Sequence, residues 1–428
     1  MVDRDPNYGL MEKRLRSEGY IDVRRENLSS HTFYVREGKI ENSIRSERSG
    51  HIFRVAGRTG FDIVPDRSTT IPKDAAFARF VRERWEREAN RECLFENNFE
   101  PVKIPTTLVE AAHVLADKTM SFRFFWEARQ IEFENNLGFR KSRLELVRVV
   151  TIERRQRLKR TSLHLRRFVF DPQEEDLRRE TEDTEKVCGT LQDADTLERD
   201  VTCDVVLHPT VTAVLIHEMF GHSCEADRYS RLGSLVHGNK ISSVEVAIED
   251  VPDETSVIDH LPFDEEGLTA GKVTLVREGV VQNMLHTFET AFAFKTEPNG
   301  RGRARDFRYW PITRMMNIRM MPGTAAPDEL IAAVRNGFYL VGTLGAVTTG
   351  TIFQIQCQYG YEIKNGQLGK PVIGPILRGS IASTALAIQG VARDAIWVAD
   401  GGCLFGNQFL HRSGRGGPHV LVSNIVVS

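Results

Sequence analysis

From Ile21 to Val64, in IDVRRENLSSHTFYVREGKIENSIRSERSGHIFRVAGRTGFDIV, apolar and polar positions alternate. Turn signals such as Arg36-Glu37-Gly38 divide that alternation into successive antiparallel strands. A short helix around Met11 to Glu18 leads into them. Between Pro72 and Asn97 the period lengthens to that of a helix. Ala75, Phe77, Phe80, Val81 and Trp85 share one face and charges occupy the other, which assigns the aromatic side chains to core packing. A loop and a second short helix fill Pro101 to Lys118. Strand-like runs follow from Ser121 to Phe170, in FRFFWEARQIEFENN, SRLELVRVVTIERRQ and LHLRRFVF.

The stretch Asp171 to Asp200 is acidic and poor in large apolar residues, which makes it the candidate junction between two domains: 1–200, an N-terminal α/β domain, and 201–428, a mainly β C-terminal domain. Beyond it, VEVAIEDVP reads as a strand. Lys272 to Leu285 reads as a hairpin turned at Arg277-Glu278-Gly279. The run EPNGRGRARDFRYWPITRMMNIRMMPG mixes glycine, arginine and aromatics without a period of its own. It reads as a functional loop, offering Arg301, Arg303 or Arg305 to a substrate oxygen, or as a dimer contact. A helix from Pro327 to Asn336 capped by Gly337, strands around a turn at Asn365-Gly366, an apolar helix from Ser380 to Gln389 and a last strand, HVLVSNIVV, complete an α+β chain.

A length of 428 residues exceeds what one core normally supports, in keeping with two domains. A hydrophobic content of 41% and a charged content of 27% describe an ordinary soluble chain, and the net charge of −2 argues against a general nucleic-acid-binding surface. The basic cluster from Arg140 to Arg160 is read as a solvated sheet face, because the acidic segment after it compensates. No run is long and apolar enough to span a bilayer and the N-terminus lacks a signal-peptide core, so the expected location is cytoplasmic. Six scattered cysteines without a C-x-x-C pair are read as free thiols or single metal ligands.

Candidate chemistry lies in Val211 to Tyr229, VTAVLIHEMFGHSCEADRY. An apolar run delivers His217 and Glu218, and His222 follows. Two imidazoles can hold a divalent metal and the carboxylate between them can take a proton from water. Histidines five residues apart lie roughly 140° apart around a regular helix, which is poor for gripping one ion. A single π-type turn brings them together, and Gly221 would tolerate it. Position 221 is Gly, which excludes the H-E-x-x-H pattern of ordinary zincins. Glu225 and Asp227 stand where they can accept hydrogen bonds from ligand imidazoles or serve as a further ligand. A third ligand is not fixed by spacing, and Cys224 and Cys403 both qualify.

HEMFGHSCEAD (His217 to Asp227), DEEG (Asp264 to Gly267), RMMN (Arg314 to Asn317), MPG (Met321 to Gly323), the late GGC ending at Cys403 and GGP (Gly416 to Pro418) occur in an order that resembles the TldD/PmbA family of metallopeptidases. SEGYIDVRREN and GHIFRVAGRTGF extend the resemblance weakly into the first half. It implies zinc held by His217, His222 and Cys403, with Glu218 as general base, in a hydrolase of short or unfolded peptides. It also implies a homodimer or a heterodimer with a TldE-like paralogue that lacks the histidines. An amidase acting on a small peptidic metabolite and a non-catalytic binding subunit are the alternatives. The chain departs from the family in carrying the glycine-rich strand entry only partly, as TLGAVTTG (Thr343 to Gly350), and in Met219 and Cys224.

Overall fold

The computed structural model describes residues 19–56, 61–63, 75–88, 92–93, 99–159, 161–227, 238–242, 244–252, 261–398, 402–411 and 414–428. The helix expected at Met11 to Glu18 lies outside the described residues. The architecture is mixed α+β and rich in strands.

Residues 21–170 build a seven-stranded sheet around the long strands Ile21–Arg36, Lys39–Ala56, Met120–Asn135 and Arg140–Arg157. Its pairings are antiparallel except for the two-residue strand Glu92–Cys93, which runs parallel to its neighbour. The first hairpin turns at Glu37 and Gly38, both with positive φ (45° and 67°), the backbone that two-residue hairpins require. One face of this sheet is apolar: Phe33, Val35, Phe122, Phe124, Trp126, Val150 and Ile152 pack with Leu108, Ala111 and Ala112 of the helix Thr106–Leu115 and with Leu177 of the helix Glu174–Thr190. Trp85 is fully buried against Phe133 and Phe139, which matches its assignment to the core.

The opposite face carries charge. At the end nearest Asp22, Arg54 pairs with Asp22 and Glu266 at 2.7 and 3.1 Å, and Arg129 pairs with Glu26 and Glu265 at 2.8 and 2.9 Å. Arg143 pairs with Glu145 and Glu265 at 2.6 and 3.0 Å. Carboxylates of the DEEG turn therefore neutralise arginines of the sheet, which is what makes burial of so many charges tolerable. Asp264 closes the turn by accepting from the amides of Glu266, Leu268 and Gly302. The basic stretch departs from the solvated face expected of it, because Lys141 and Arg143 are buried and find remote carboxylates, whereas Arg155 and Arg157 are exposed.

The remaining strands form two principal sheets with a helix between them. In one, the order is Asn336–Thr349, Val201–Leu207, Val420–Val427, Ile376–Ser380, Ile352–Lys364 and Gln367–Ile373, and a further pairing of Asn336–Thr349 with Ile352–Lys364 closes the path on itself. The other has six strands and includes Ile248–Val251, Val273–Arg277, Asn317–Met320 and Gly414–Gly417. The hairpin at Glu278-Gly279 and the turn at Asn365-Gly366 both form with positive φ. Gly337 does not cap the helix before it: Pro327–Ala332 ends earlier, and Gly337 lies within a strand so close to the Asp204 carbonyl that a side chain would collide. No helix among the described residues is long and apolar enough to cross a membrane.

Candidate metal centre

The helix Pro209–Ile216 is apolar all round and buried, with Val211, Val214, Leu215 and Ile216 in the core shared by the two sheets. Pro209 starts it and His208 caps it, accepting from the Thr210 amide at 3.2 Å. A π-turn over His217–Gly221 follows directly, closed by the His222 amide donating to the His217 carbonyl, the i to i+5 bond that the histidine spacing calls for. The two imidazole centroids come within 4.7 Å, inclined at 78°. Gly221 has ordinary helical torsions (φ −57°, ψ −60°), so the turn does not exploit its backbone freedom. A Cβ there would run into Met315 Sδ, so any larger residue requires Met315 to move.

Cys403 arrives from the two-stranded ribbon Cys403–Phe405 and Gln408–Leu410. Its Sγ lies 3.3 Å from His222 Nε2, close to the roughly 3.5 Å that separates nitrogen and sulfur ligands around a tetrahedral zinc. Donor atoms of His217, His222 and Cys403 all lie within 4.8 Å of one another, and all three residues are buried. Cys224 is buried among apolar residues instead, and burial pushes its thiol up to about 12. This donor set, two imidazoles and one thiolate on a soft-to-borderline site, fits zinc.

Electrostatics act in opposite directions on the two ligands: Cys403 is drawn toward the thiolate, while His222 is drawn toward an imidazolium that must lose its Nε2 proton when a metal binds. His222 Nδ1 faces the buried Glu225 Oε2 at 2.9 Å, so Nδ1 carries the proton and Nε2 points to Cys403. Burial alone would depress the His222 pKa, but Glu225 and Cys403 together raise it to about 10. Burial raises the Cys403 thiol, yet the hydrogen bond to His222 and the nearby Arg314 bring it below its ordinary value, toward the thiolate that metals bind. Asp227 accepts from the Thr313 amide at 3.0 Å, and burial raises it to about 6.

Two arginines tie the remote loop to the helix. Arg314 donates to the Cys403 carbonyl at 3.1 Å and approaches Glu225 Oε1 at 3.5 Å. Arg415 donates to the Gly402 carbonyl at 2.8 Å and lies 3.5 Å from His217 Nε2. Glu218 is 7% exposed, and Thr348 donates to its Oε2 at 2.6 Å. Glu218, His222, Cys403 and Arg415 line one side of a cavity of about 700 Å³, a size that takes a small ligand or part of a peptide.

Arg301 and Arg303, offered by the sequence either to a substrate oxygen or to a dimer contact, are buried in ion pairs with Asp250 and Glu265 at 2.5 and 3.0 Å. They are therefore withdrawn from any substrate role. Thr348 and Arg415 were not singled out in the sequence. Both lie in glycine-containing runs, TLGAVTTG and GRGG, that carry no side-chain pattern of their own.

The chain is similar to several known proteins. The family model described as PmbA/TldA metallopeptidase C-terminal domain matches residues 200–428. A Methanothermobacter thermautotrophicus protein named metalloprotease is 37% identical over 229 residues, 52% of this chain and 50% of that protein. A Saccharolobus solfataricus protein named zinc metalloprotease TldD homolog is 29% identical over 231 residues, 52% of this chain and 51% of that protein. The chain thus spans about half the length of the curated relatives it matches. Among solved structures, a Thermotoga maritima protein, a candidate modulator of a DNA gyrase, superposes with a TM-score of 0.72 at 17% identity over 99% of both chains. TldE from Thermococcus kodakarensis superposes at 0.67 and 15% identity, covering 98% of this chain and 99% of its own. At these identities the likeness is one of fold.

Proposed function

This chain belongs to the PmbA/TldD metallopeptidase family, and from that premise we propose that it is a zinc-dependent peptidase acting on short or unfolded peptides. The observation that carries the reading is the convergence of His217, His222 and Cys403 within 4.8 Å of one another, with His222 and Cys403 lining the same cavity as the Glu218 carboxylate. His217, His222 and Cys403 would hold the zinc. When bound, the ion supplies a Lewis acid that polarises a carbonyl and acidifies water. Thr348 fixes Glu218 through Oε2, leaving Oε1 as the atom that takes the water proton and returns it to the departing amine. Glu225 holds His222 in the tautomer whose Nε2 is free for the metal. Arg314 and Arg415 position the Cys403 loop.

In this reading residues 201–428 carry the chemistry and residues 1–200 form a separate domain that supplies the opposite side of the cavity. The fold shared with TldE supports a further part of the proposal, a homodimer or a pair with a TldE-like paralogue. The free cysteines among the described residues support a cytoplasmic site of action. The test is cleavage of unstructured peptides by the zinc-loaded protein. Cleavage that stops on chelation and returns with zinc is expected, and chelator-resistant cleavage would defeat the proposal. Faster turnover of dipeptide-sized amides than of longer peptides would point to an amidase.

A further inference from the structure

The other side of the cavity is one end of the charged face of the first sheet. The strand registers pair Tyr34 with Arg123, Arg123 with Thr151, and Glu153 with Arg166, and so place Arg36, Arg123, Arg155 and Arg166 on a single face. All four line the cavity, together with one carboxylate from that sheet, Glu153. Glu153 is shared between Arg155 and Arg166, each at 3.1 Å. Among the described residues the ion-pair partner of Arg36 is Glu41, at 4.0 Å, with both side chains about half exposed, a pairing that solvent largely screens. Arg123 has no ion-pair partner among the described residues; its guanidinium lies 5.9 Å from the Tyr34 ring, and that of Arg36 lies 5.3 Å from it.

The contrast with the far end of the same face is informative. There Arg54, Arg129 and Arg143 are each matched by carboxylates, some of them brought from the DEEG turn. At the cavity end, among the described residues, the sheet lines the cavity with four guanidinium groups and one carboxylate. We propose that this excess receives a carboxylate of the substrate, so that the cleft selects anionic peptides through Arg36 and Arg123. Guanidinium forks suit carboxylates geometrically, and in a concave site their fields add. This deepens the peptidase reading and rests on it for the identity of the ligand. The carboxylate can come from an acidic side chain or from the peptide C-terminus.

The experiment measures binding rather than turnover. Zinc-loaded Glu218→Gln protein is titrated with four fluorescent peptides of one sequence, bearing Glu or Gln side chains and a free or amidated C-terminus. At least one carboxylate-bearing form should bind about tenfold tighter than the neutral peptide, and the form that does identifies the source of the carboxylate. Arg36→Gln/Arg123→Gln should erase the preference, and added salt should weaken it. Equal binding of all four peptides, binding of none, or a preference that survives the double substitution would overturn the proposal. So would a single-stranded oligonucleotide that competes as well as the acidic peptide. Preferential binding by a wild-type protein that cleaves no peptide would leave this inference standing and remove the peptidase reading instead.

Discussion

The two sides of the cavity are built on opposite principles. On the helix side His217, His222, Cys403 and Glu225 are buried and held by other side chains and carbonyls. On the sheet side Arg36, Arg123 and Arg155 stand exposed on a regular strand face. Buried, hydrogen-bonded groups are fixed before any substrate arrives, as reaction chemistry requires. Exposed guanidinium groups on flexible stems adapt to what they meet, which suits selection among peptides. Substitutions on the helix side should therefore change what the protein does to every peptide, and those on the sheet side should change which peptide it takes.

The largest expected effect is at Glu218. Glu218→Gln should retain zinc and lose about 10²- to 10⁴-fold in kcat, measured by steady-state peptide cleavage. An unchanged rate would remove the helix side from the chemistry. Next, Glu225→Gln leaves His222 Nδ1 without its carboxylate and should weaken zinc binding by about 10- to 100-fold in a competition titration with a chromophoric chelator. Gly221→Ala forces a Cβ toward Met315 and Ile318 and should destabilise the fold by about 1–3 kcal/mol in denaturant unfolding.

A smaller effect concerns pH. Burial and the neighbouring His419 hold His208 at about 4, against an ordinary value of 6.5. The folded pKa lies below the unfolded one, so the stabilisation is complete above about pH 6.5 and is lost as pH falls through about 4. Melting temperature should decline across that window. His208→Asn, which caps the helix without titrating, should flatten the decline. Smallest of all, Arg36→Gln/Arg123→Gln should leave stability within about 0.5 kcal/mol of wild type, since both side chains are exposed. A large loss of stability there would mean that the two sides do not differ as described.

What the sequence disclosed follows the same division between local and remote. The i, i+5 histidine spacing calls for a widened turn because helix geometry is set within a few residues, and the π-turn at His217–Gly221 answers it. The hairpins at Glu278-Gly279 and Asn365-Gly366 were legible for the same reason. Cys403 lies 181 residues from His222, so spacing could not choose it over Cys224; only the resemblance did. Arg301 and Arg303 read as free for a substrate or a dimer contact because their partners, Asp250 and Glu265, lie 51 and 38 residues away. Lys141 and Arg143 likewise suggested solvent-facing charges until Glu88 and Glu265 folded over them. Thr348 gave no signal, since a hydroxyl in a strand is mute until the carboxylate 130 residues away is set beside it.

Metal stoichiometry tests the central claim most directly. Elemental analysis after equilibration with zinc and removal of excess should find one zinc per chain in the wild type and in Cys224→Ala, and far less in Cys403→Ala. A wild-type chain that retains no zinc, or a Cys403→Ala chain that retains as much as the wild type, would contradict the account.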